Sequence, residues 1–197
     1  MSQNVQIYLG ITVLFLVLII IAFFFSKKKQ NANKRIDLAL KPYSQADLQS
    51  VVFPDGVGGL IDIERLVLLK QGILVIETYP ISGHLFGADK IEKWTQMLNG
   101  KSFKFINPLY RIQMLRQAIQ VIAPSTPIFY RVIFTAKDSS FPKGKPADVS
   151  TLLTLDNDLE ALKKAPVMTE KQRSNWDRVL RIARKDGQAI QLGAING

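Results

Sequence analysis

The stretch that decides the fold is GLIDIERLVLLKQGILVIETY, residues 59–79. It contains two apolar, β-branched runs, at positions 60–69 and 73–79, with Lys70, Gln71 and Gly72 between them. Two such runs joined by a short glycine-containing segment indicate a β-hairpin. The sequence therefore predicts a pair of antiparallel strands at the centre of a folded domain.

Two carboxylates lie on this hairpin, Asp62 on the first strand and Glu77 on the second. Side chains alternate along a strand, so Glu77 and Tyr79 share a face, and Asp62 joins them if the turn contains an even number of residues. With a two-residue turn, Gln71-Gly72, Asp62 lies opposite position 81, about 13 Å from Glu77, so twist or a bulge must bring them together. Two converging carboxylates can hold Mg²⁺, which clamps a phosphate and activates water.

Helices and further strands follow the hairpin. Asn107-Pro108 opens a helix whose apolar residues recur at helical spacing up to position 122. Positions 128–135 and 149–153 indicate two more strands, and a short helix follows at 156–164. Thr169 to Gln172 fits a capping box before a last helix that we expect to end at Gly187. The order predicts an α/β fold, a mixed central sheet flanked by helices, with Trp94 and Trp176 in its core.

The N-terminal segment has a different character. Residues 7–25 form an uncharged apolar run, about 28 Å long as a helix, which predicts a transmembrane helix. A cleaved signal peptide is the alternative, but the start MSQNVQ is uncharged and a small-residue cleavage site is missing. Five basic residues between positions 27 and 35 then predict an external N-terminus and a cytoplasmic domain, as in a single-pass protein of the bacterial inner (plasma) membrane.

Composition excludes several kinds of site. The chain of 197 residues has no cysteine and one histidine, His84, so disulfides, thiol nucleophiles and multi-histidine metal centres are excluded. Its 26 basic and 16 acidic residues give a net charge of +10, which suits an anionic partner. Half of this charge flanks the predicted membrane span, and a second concentration lies at residues 170–185.

The motifs at residues 59–87 resemble those of the nuclease-related domain (NERD) family of the PD-(D/E)-x-K nuclease-like superfamily. GLIDI resembles the family's Gly-x-Ile-Asp strand, VIETY its Val/Ile-Glu-x-Lys strand, and Ser82-Gly83 and Gly87 its later glycines. Trp94, Asn107-Pro108 and the strands at 132–135 and 149–153 continue the same order. The resemblance, from about Leu48 to Arg184, implies a restriction-endonuclease-like fold, Asp62 and Glu77 as Mg²⁺ ligands, and DNA or RNA as substrate.

The chain departs from this pattern at the site itself. Tyr79 stands where the family has lysine, and Arg111 stands where a glutamine is common. A phenol is neutral at pH 7, although it can donate a hydrogen bond to a phosphate oxygen. The family's opening helix looks truncated, because only the polar segment 36–46 lies in its place. We therefore expect catalysis to be impaired or lost, while metal binding could persist.

Each candidate residue also has a plainer interpretation. Asp62 and Glu77 could lie on a solvent-facing side of the hairpin, and Glu64 is expected to be a solvated strand residue. Tyr79 could be a packed aromatic, and His84 a structural or exposed residue. Arg111 could pair with Glu77 and restore a positive charge, or be an ordinary exposed helix arginine. Nucleic-acid or lipid contacts, or simply a solvated face, could account for the basic side of the last helix, namely Lys171, Arg173, Arg178, Arg181, Arg184 and Lys185.

These observations predict a short tail at 1–6, the membrane span at 7–25, a linker at 26–46, a NERD-like domain at 47–186 and a flexible tail at 187–197. Within the linker, Ile36, Leu38 and Leu40 could add one short strand or turn. The predicted function is nucleic-acid binding or processing beside the membrane. The alternative is a non-catalytic component of a membrane assembly that binds proteins. No small-molecule cofactor is implied.

Overall fold

A computed structural model gives the fold and describes residues 3–54 and 58–195, with the side chains of residues 3–11, 24, 25 and 184–195 left out. The chain divides into two compact units, one reaching Leu38 and the other starting at Ala39. Each unit is described separately below.

The first unit is a single long helix, α1, which spans Gln3–Leu40 and ends in the first residues of the second unit. The strand or turn predicted near Ile36 is wrong, because Ala, Lys and Arg favour the helix and nothing interrupts it before Pro42. The predicted membrane span, residues 7–25, falls partly on positions 7–11, 24 and 25, which lie outside the described side chains. Within the described residues, no helix is both long and apolar enough to cross a membrane.

A five-stranded mixed sheet forms the centre of the second unit, as the sequence predicts. Its strands are β1 (Ala46–Pro54), β2 (Leu60–Leu68), β3 (Ile73–Tyr79), β7 (Ile128–Phe134) and β8 (Val149–Thr151), in the order β1-β2-β3-β7-β8. The first three strands are antiparallel, whereas β3, β7 and β8 run parallel. The predicted hairpin is β2–β3, and β1 adds an edge strand where only the start of the domain was expected.

A second, three-stranded antiparallel sheet was not predicted. It consists of β4 (His84–Phe86), β5 (Lys93–Leu98) and β6 (Lys101–Ile106) in sequential order. Few of its residues are β-branched, so the runs do not look like strands. The signal that could have revealed it is Asn99-Gly100, a two-residue turn between β5 and β6 in which both residues have positive φ.

Helices cover both faces of the five-stranded sheet. On one face, apolar residues of α2 (Leu109–Ile122) and α4 (Glu170–Ile195) join the main core, which includes the buried Trp94 and Trp176. On the other face, α3 (Leu155–Glu160) and a following 3₁₀ turn (Ala161–Lys164) lie near Arg131, which donates a hydrogen bond to the Asp158 carbonyl. This arrangement confirms the predicted mixed sheet flanked by helices.

The helix starts follow the predicted capping chemistry. The buried Asn107 side chain accepts a hydrogen bond from the Leu109 amide at 2.9 Å, so it satisfies a free donor at the start of α2. Thr169 and Gln172 form the reciprocal bonds of a capping box at the start of α4. The expected end of α4 at Gly187 is wrong, because the helix passes through this glycine and ends at Ile195.

Candidate functional site

The geometry of the site starts from the turn between β2 and β3. The strands pair from Leu68–Ile73 to Arg65–Ile76, so the turn has four residues, 69–72, rather than two. Gly72 is required there, because an added Cβ would lie 2.3 Å from the Pro127 carbonyl oxygen. Four is an even number, so Asp62 keeps the strand parity of Glu77. Continued without interruption, this register sets position 62 opposite 79 rather than 81, two residues closer to Glu77 than expected.

The hairpin strands separate just before the site. Backbone pairing between β2 and β3 ends at Arg65–Ile76. Beyond this pair, the side chains of Glu64 and Glu77 accept hydrogen bonds from the opposite strand. The Glu64 amide donates to Oε1 of Glu77 at 3.3 Å, while the amide and hydroxyl of Thr78 donate to the Glu64 carboxylate, both at 2.7 Å. The expectation that Glu64 is merely solvated is therefore wrong, because its carboxylate links the two strands.

Arg111 brings the two predicted carboxylates together from the first turn of α2. Its Nε donates to Oε2 of Glu77 at 2.8 Å, and its Nη2 donates to Oδ2 of Asp62 at 3.0 Å and to the Asp62 carbonyl at 2.8 Å. One guanidinium therefore ties together both hairpin strands and the helix. The Arg111 side chain is thus placed against Glu77 rather than left as an ordinary exposed helix arginine.

The three charged side chains differ in their exposure to water. The Glu77 side chain is 9% exposed, that of Arg111 35%, and that of Asp62 80%. Asp62 thus lies at the rim of the site, whereas Glu77 is inside. A buried carboxylate needs a partner, and Arg111 supplies a positive charge and a hydrogen bond. The Arg111–Glu77 pair is therefore the energetically important half of the bridge, and the contact with Asp62 is screened by solvent.

Burial determines the protonation behaviour of this pair. It raises the pKa of Glu77 above its ordinary value, and the hydrogen bond and charge of Arg111 counteract only part of that rise. Burial lowers the pKa of Arg111, but its interactions with Glu77 and Asp62 outweigh this effect and leave the pKa raised. The guanidinium consequently stays charged, and Glu77 is the group whose protonation responds to its surroundings.

Tyr79, at the position where the resemblance expects a lysine, lies at the end of β3. Its ring packs against Phe134 with 5.9 Å between centroids, in agreement with the interpretation as a packed aromatic. Burial raises the pKa of the phenol, and the negative charge of Glu77 raises it further. The Tyr79 side chain is therefore neutral near pH 7 and adds no positive charge to the site.

The charged residues as arranged do not fit a divalent metal centre. Arg111 lies against both predicted ligands, and each carboxylate oxygen of Glu77 already accepts a hydrogen bond. Mg²⁺ is normally held by free carboxylate oxygens and water, whereas both oxygens of the buried Glu77 carboxylate already accept hydrogen bonds. Among the residues that the structure describes, no three histidine or acidic side chains cluster as they would around a metal.

The remaining candidates lie outside the bridge. His84 is exposed on β4, and its Nδ1 lies 2.8 Å from Oγ of Ser140, which agrees with an exposed or structural role. On α4, Lys171, Arg173, Arg178 and Arg181 are exposed, while the side chains of Arg184 and Lys185 fall outside the description. The exposure of these basic side chains does not by itself distinguish a nucleic-acid contact, a lipid contact and a solvated helix face.

Comparisons with known proteins agree with the family resemblance of the sequence. The family model of the nuclease-related domain (NERD) matches residues 26–135, more than half of the chain, and this match includes the last turns of α1. The match therefore begins ten residues before the segment 36–46 in which the opening helix was expected. An uncharacterized protein of Bacillus anthracis is 29% identical over 85 residues, which cover 43% of this chain and 40% of the relative. No solved structure matches the chain. The chain belongs to the nuclease-related domain family.

Proposed function

We propose that this protein is a membrane-anchored nuclease-related domain that binds nucleic acid without hydrolysing it. Family membership supports a nucleic-acid-related function. The observation that carries the proposal is the bridge from Arg111 to Glu77 and Asp62, in which a guanidinium takes the place beside the carboxylates that a metal would need.

Metal-dependent hydrolysis of a phosphodiester needs a divalent cation that activates water and stabilises the charge developing on phosphorus. Arg111 supplies a single positive charge and cannot lower the pKa of a bound water in the way a metal does. Tyr79 adds no charge, because its phenol is neutral. The site retains carboxylates positioned by the hairpin, but Arg111 pairs with both of them and Tyr79 stands in place of the family's lysine, which supports binding without cleavage.

Exposed basic residues support nucleic acid as the partner. Arg173, Arg178 and Arg181 are exposed on α4, and Arg178 and Arg181 point away from the buried Trp176 and Val179. Positive charges along one helix face attract a phosphate backbone regardless of its base sequence. Lys185 extends the same basic run in the sequence. Either DNA or RNA fits this chemistry, and anionic lipid beside the anchor is the competing ligand.

The membrane anchor in this proposal is residues 7–25. Large apolar side chains between Val13 and Phe23 are about half exposed or more on α1, an arrangement that is unfavourable in water and favourable in lipid. The lysines at 27–29 follow directly and would remain on the cytoplasmic side. This topology gives a bacterial plasma-membrane protein with its nuclease-related domain inside the cell.

The test uses the full chain in detergent micelles with labelled oligonucleotides and supercoiled plasmid. We expect salt-dependent binding and no nicking in Mg²⁺ or Mn²⁺. Glu77→Ala should leave binding within about twofold, because Glu77 faces Arg111 and not the exposed basic side of α4. A matched charge-removal variant, Arg178→Gln with Arg181→Gln, should weaken binding.

Two results would contradict the proposal. Plasmid nicking that depends on Mg²⁺ or Mn²⁺ and disappears in Glu77→Ala would establish a working metal site. Absence of binding to DNA and RNA at about 50 mM salt would remove the nucleic-acid role, and a stoichiometric protein that copurifies from the membrane would then identify the alternative, a component of a membrane assembly.

A further inference from the structure

The three-stranded sheet has two faces of different character. In an antiparallel pair, directly opposite residues lie on the same face. Trp94 pairs with Phe105, and both point with the buried Leu85 toward the core. The alternate residues point the other way and form what we call the outer face, namely His84, Phe86, Lys93, Thr95, Met97, Ser102, Lys104 and Ile106.

The outer face is open to solvent. Ile106 is 70% exposed and Met97 43%, values that are high for apolar side chains on a sheet. Lys93 and Lys104 are exposed beside them, and Lys104 donates a hydrogen bond to the Thr95 hydroxyl at 2.8 Å. Apolar groups therefore lie next to positive charges on one continuous pleated surface.

The charge of these strands is one-sided. The strands β4, β5 and β6 contain three lysines and no aspartate or glutamate. The five-stranded sheet, in contrast, carries four acidic residues and two arginines within its strands. No carboxylate on the strands of the smaller sheet can therefore neutralise Lys93 or Lys104 internally, so an anionic partner is complementary to this face.

We propose that the outer face binds single-stranded nucleic acid, an inference that rests on the proposed nucleic-acid function. A single strand presents phosphates together with unpaired bases, and proteins bind it by combining basic side chains with aromatic or apolar contacts to the bases. Phe86, Thr95 and Lys104 occupy one row across the three strands, about 4.8 Å from one strand to the next. Lysines can contact phosphates while Phe86, Met97 and Ile106 contact bases, whereas a duplex would hide those bases.

The matched test compares two lysines on β6. Lys104 points to the outer face, whereas Lys101, three residues away and also exposed, lies on the opposite face because it pairs with Leu98. Binding of a fluorescein-labelled dT20 oligonucleotide to the full chain in detergent micelles is followed by anisotropy at several salt concentrations. We expect Lys104→Gln to weaken binding about fivefold and Lys93→Gln with Lys104→Gln more than tenfold, with a salt slope lowered by about 0.7 for each lost phosphate contact.

The control Lys101→Gln should stay within about twofold of wild type, and Ile106→Ser should weaken dT20 binding without changing the salt slope. Equal losses from Lys101→Gln and Lys104→Gln would overturn the outer face as the binding surface. If wild type binds dT20 and the double variant binds equally well, the outer face is wrong but the proposed function stands. If wild type binds no nucleic acid, the proposed function itself fails.

Chemical labelling separates nucleic acid from lipid as the partner. Acetylation of Lys93 and Lys104, read out by mass spectrometry, should be suppressed when dT20 is present. Protection by phosphatidylserine nanodiscs in the absence of dT20, with none from the oligonucleotide, would overturn the proposal and assign the face to an anionic membrane surface.

Discussion

The two sheets of the second unit differ in whether the charged side chains on their strands are paired within the fold. In the five-stranded sheet, the acids on the strands have internal partners: Asp47 pairs with Arg65, Glu64 with Thr78, and Asp62 and Glu77 with Arg111. The three-stranded sheet has only basic charges, and its lysines are exposed. Buried charge must be neutralised within the fold, whereas exposed charge can remain available to a partner. The difference indicates that the hairpin site is structurally closed and the smaller sheet is the open surface.

The strongest way to break this comparison is to disconnect the two sheets. Trp94 of β5 is fully buried and stacks on Phe134 of β7 with 6.2 Å between ring centroids. Trp94→Ala removes this contact and leaves a cavity, so we expect the free energy of unfolding to fall by about 3–5 kcal/mol. Thermal unfolding followed by circular dichroism measures the loss.

Two further variants define the reason for that loss. Trp94→Phe keeps an aromatic ring and should cost clearly less than Trp94→Ala. Gly87→Ala should also destabilise the domain, because its Cβ would lie 2.1 Å from a ring atom of Trp94. A Trp94→Ala variant that is as stable as wild type would show that the ring stack does not hold the sheets together.

The next largest effect concerns the closed side of the comparison. Arg111→Met removes the cation but keeps the bulk of the side chain, so Glu77 is left buried with only the Glu64 amide as partner. Loss of one member of a buried pair costs 3–5 kcal/mol, and the partial exposure of Arg111 reduces our expectation to about 2 kcal/mol. Urea unfolding of the two proteins gives the difference.

A double variant isolates the charge. Arg111→Met combined with Glu77→Gln removes both charges, and we expect it to recover at least half of the stability lost by Arg111→Met alone. Asp62→Asn should change stability little, because the Asp62 side chain is 80% exposed. A double variant no more stable than the single one would mean that Arg111 acts by packing rather than by charge.

Much of the five-stranded sheet could be predicted from the sequence, and the reason is local. Strands β2 and β3 are rich in valine, isoleucine and leucine, and their hairpin depends on a short glycine-containing turn. The start of α2 is equally local, since the Asn107 side chain accepts a hydrogen bond from the amide of Leu109, two residues further along the chain. The spacing of apolar side chains and the identity of capping residues depend on neighbouring positions in the sequence, so both can be recognised without knowledge of the fold.

The bridge and the smaller sheet depend on information that is not local. Arg111 is 34 residues from Glu77, and only the packing of α2 on the sheet brings them together. The role of Glu64 follows from the point where the hairpin strands separate, which no spacing in the sequence reveals. The strands β5 and β6 lack β-branched runs, although their Asn99-Gly100 turn was a usable signal.

The pH dependence of stability gives a smaller effect that tests the environment of the buried carboxylates in the second unit. Burial holds the pKa of Glu77 above its ordinary value of 4.5. At a pH between the unfolded-state and folded-state pKa values, Glu77 therefore keeps a proton in the folded protein that it has lost in the unfolded chain. The stability from that proton is present below about pH 4.5 and is lost as the pH rises through the folded-state pKa. The stability of wild type relative to Glu77→Gln should therefore decrease as the pH rises above about 4.5.

Asp158 should show the opposite dependence. Burial raises its pKa, but hydrogen bonds from Lys145, Ser150 and Thr154 outweigh this effect and hold the pKa below its ordinary value of 3.8. Its stabilising contribution is present above that pH and is lost as the pH falls through the folded-state pKa. Wild type relative to Asp158→Asn should therefore gain stability as the pH rises from about 2 to 6. Parallel trends in the two variants would contradict the assigned causes.

The smallest expected effect on stability is on the open side of the comparison. Lys93→Gln and Lys104→Gln change exposed side chains of the three-stranded sheet, and the hydrogen bond from Lys104 to Thr95 lies at the surface. Such substitutions usually change the free energy of unfolding by no more than about 0.5 kcal/mol. Urea unfolding should therefore superimpose these variants on wild type at every pH. We expect Arg111→Met to lower stability and these lysine variants not to. A loss of stability in the lysine variants would mean that the lysines stabilise the fold, and the contrast between a closed and an open sheet would be wrong.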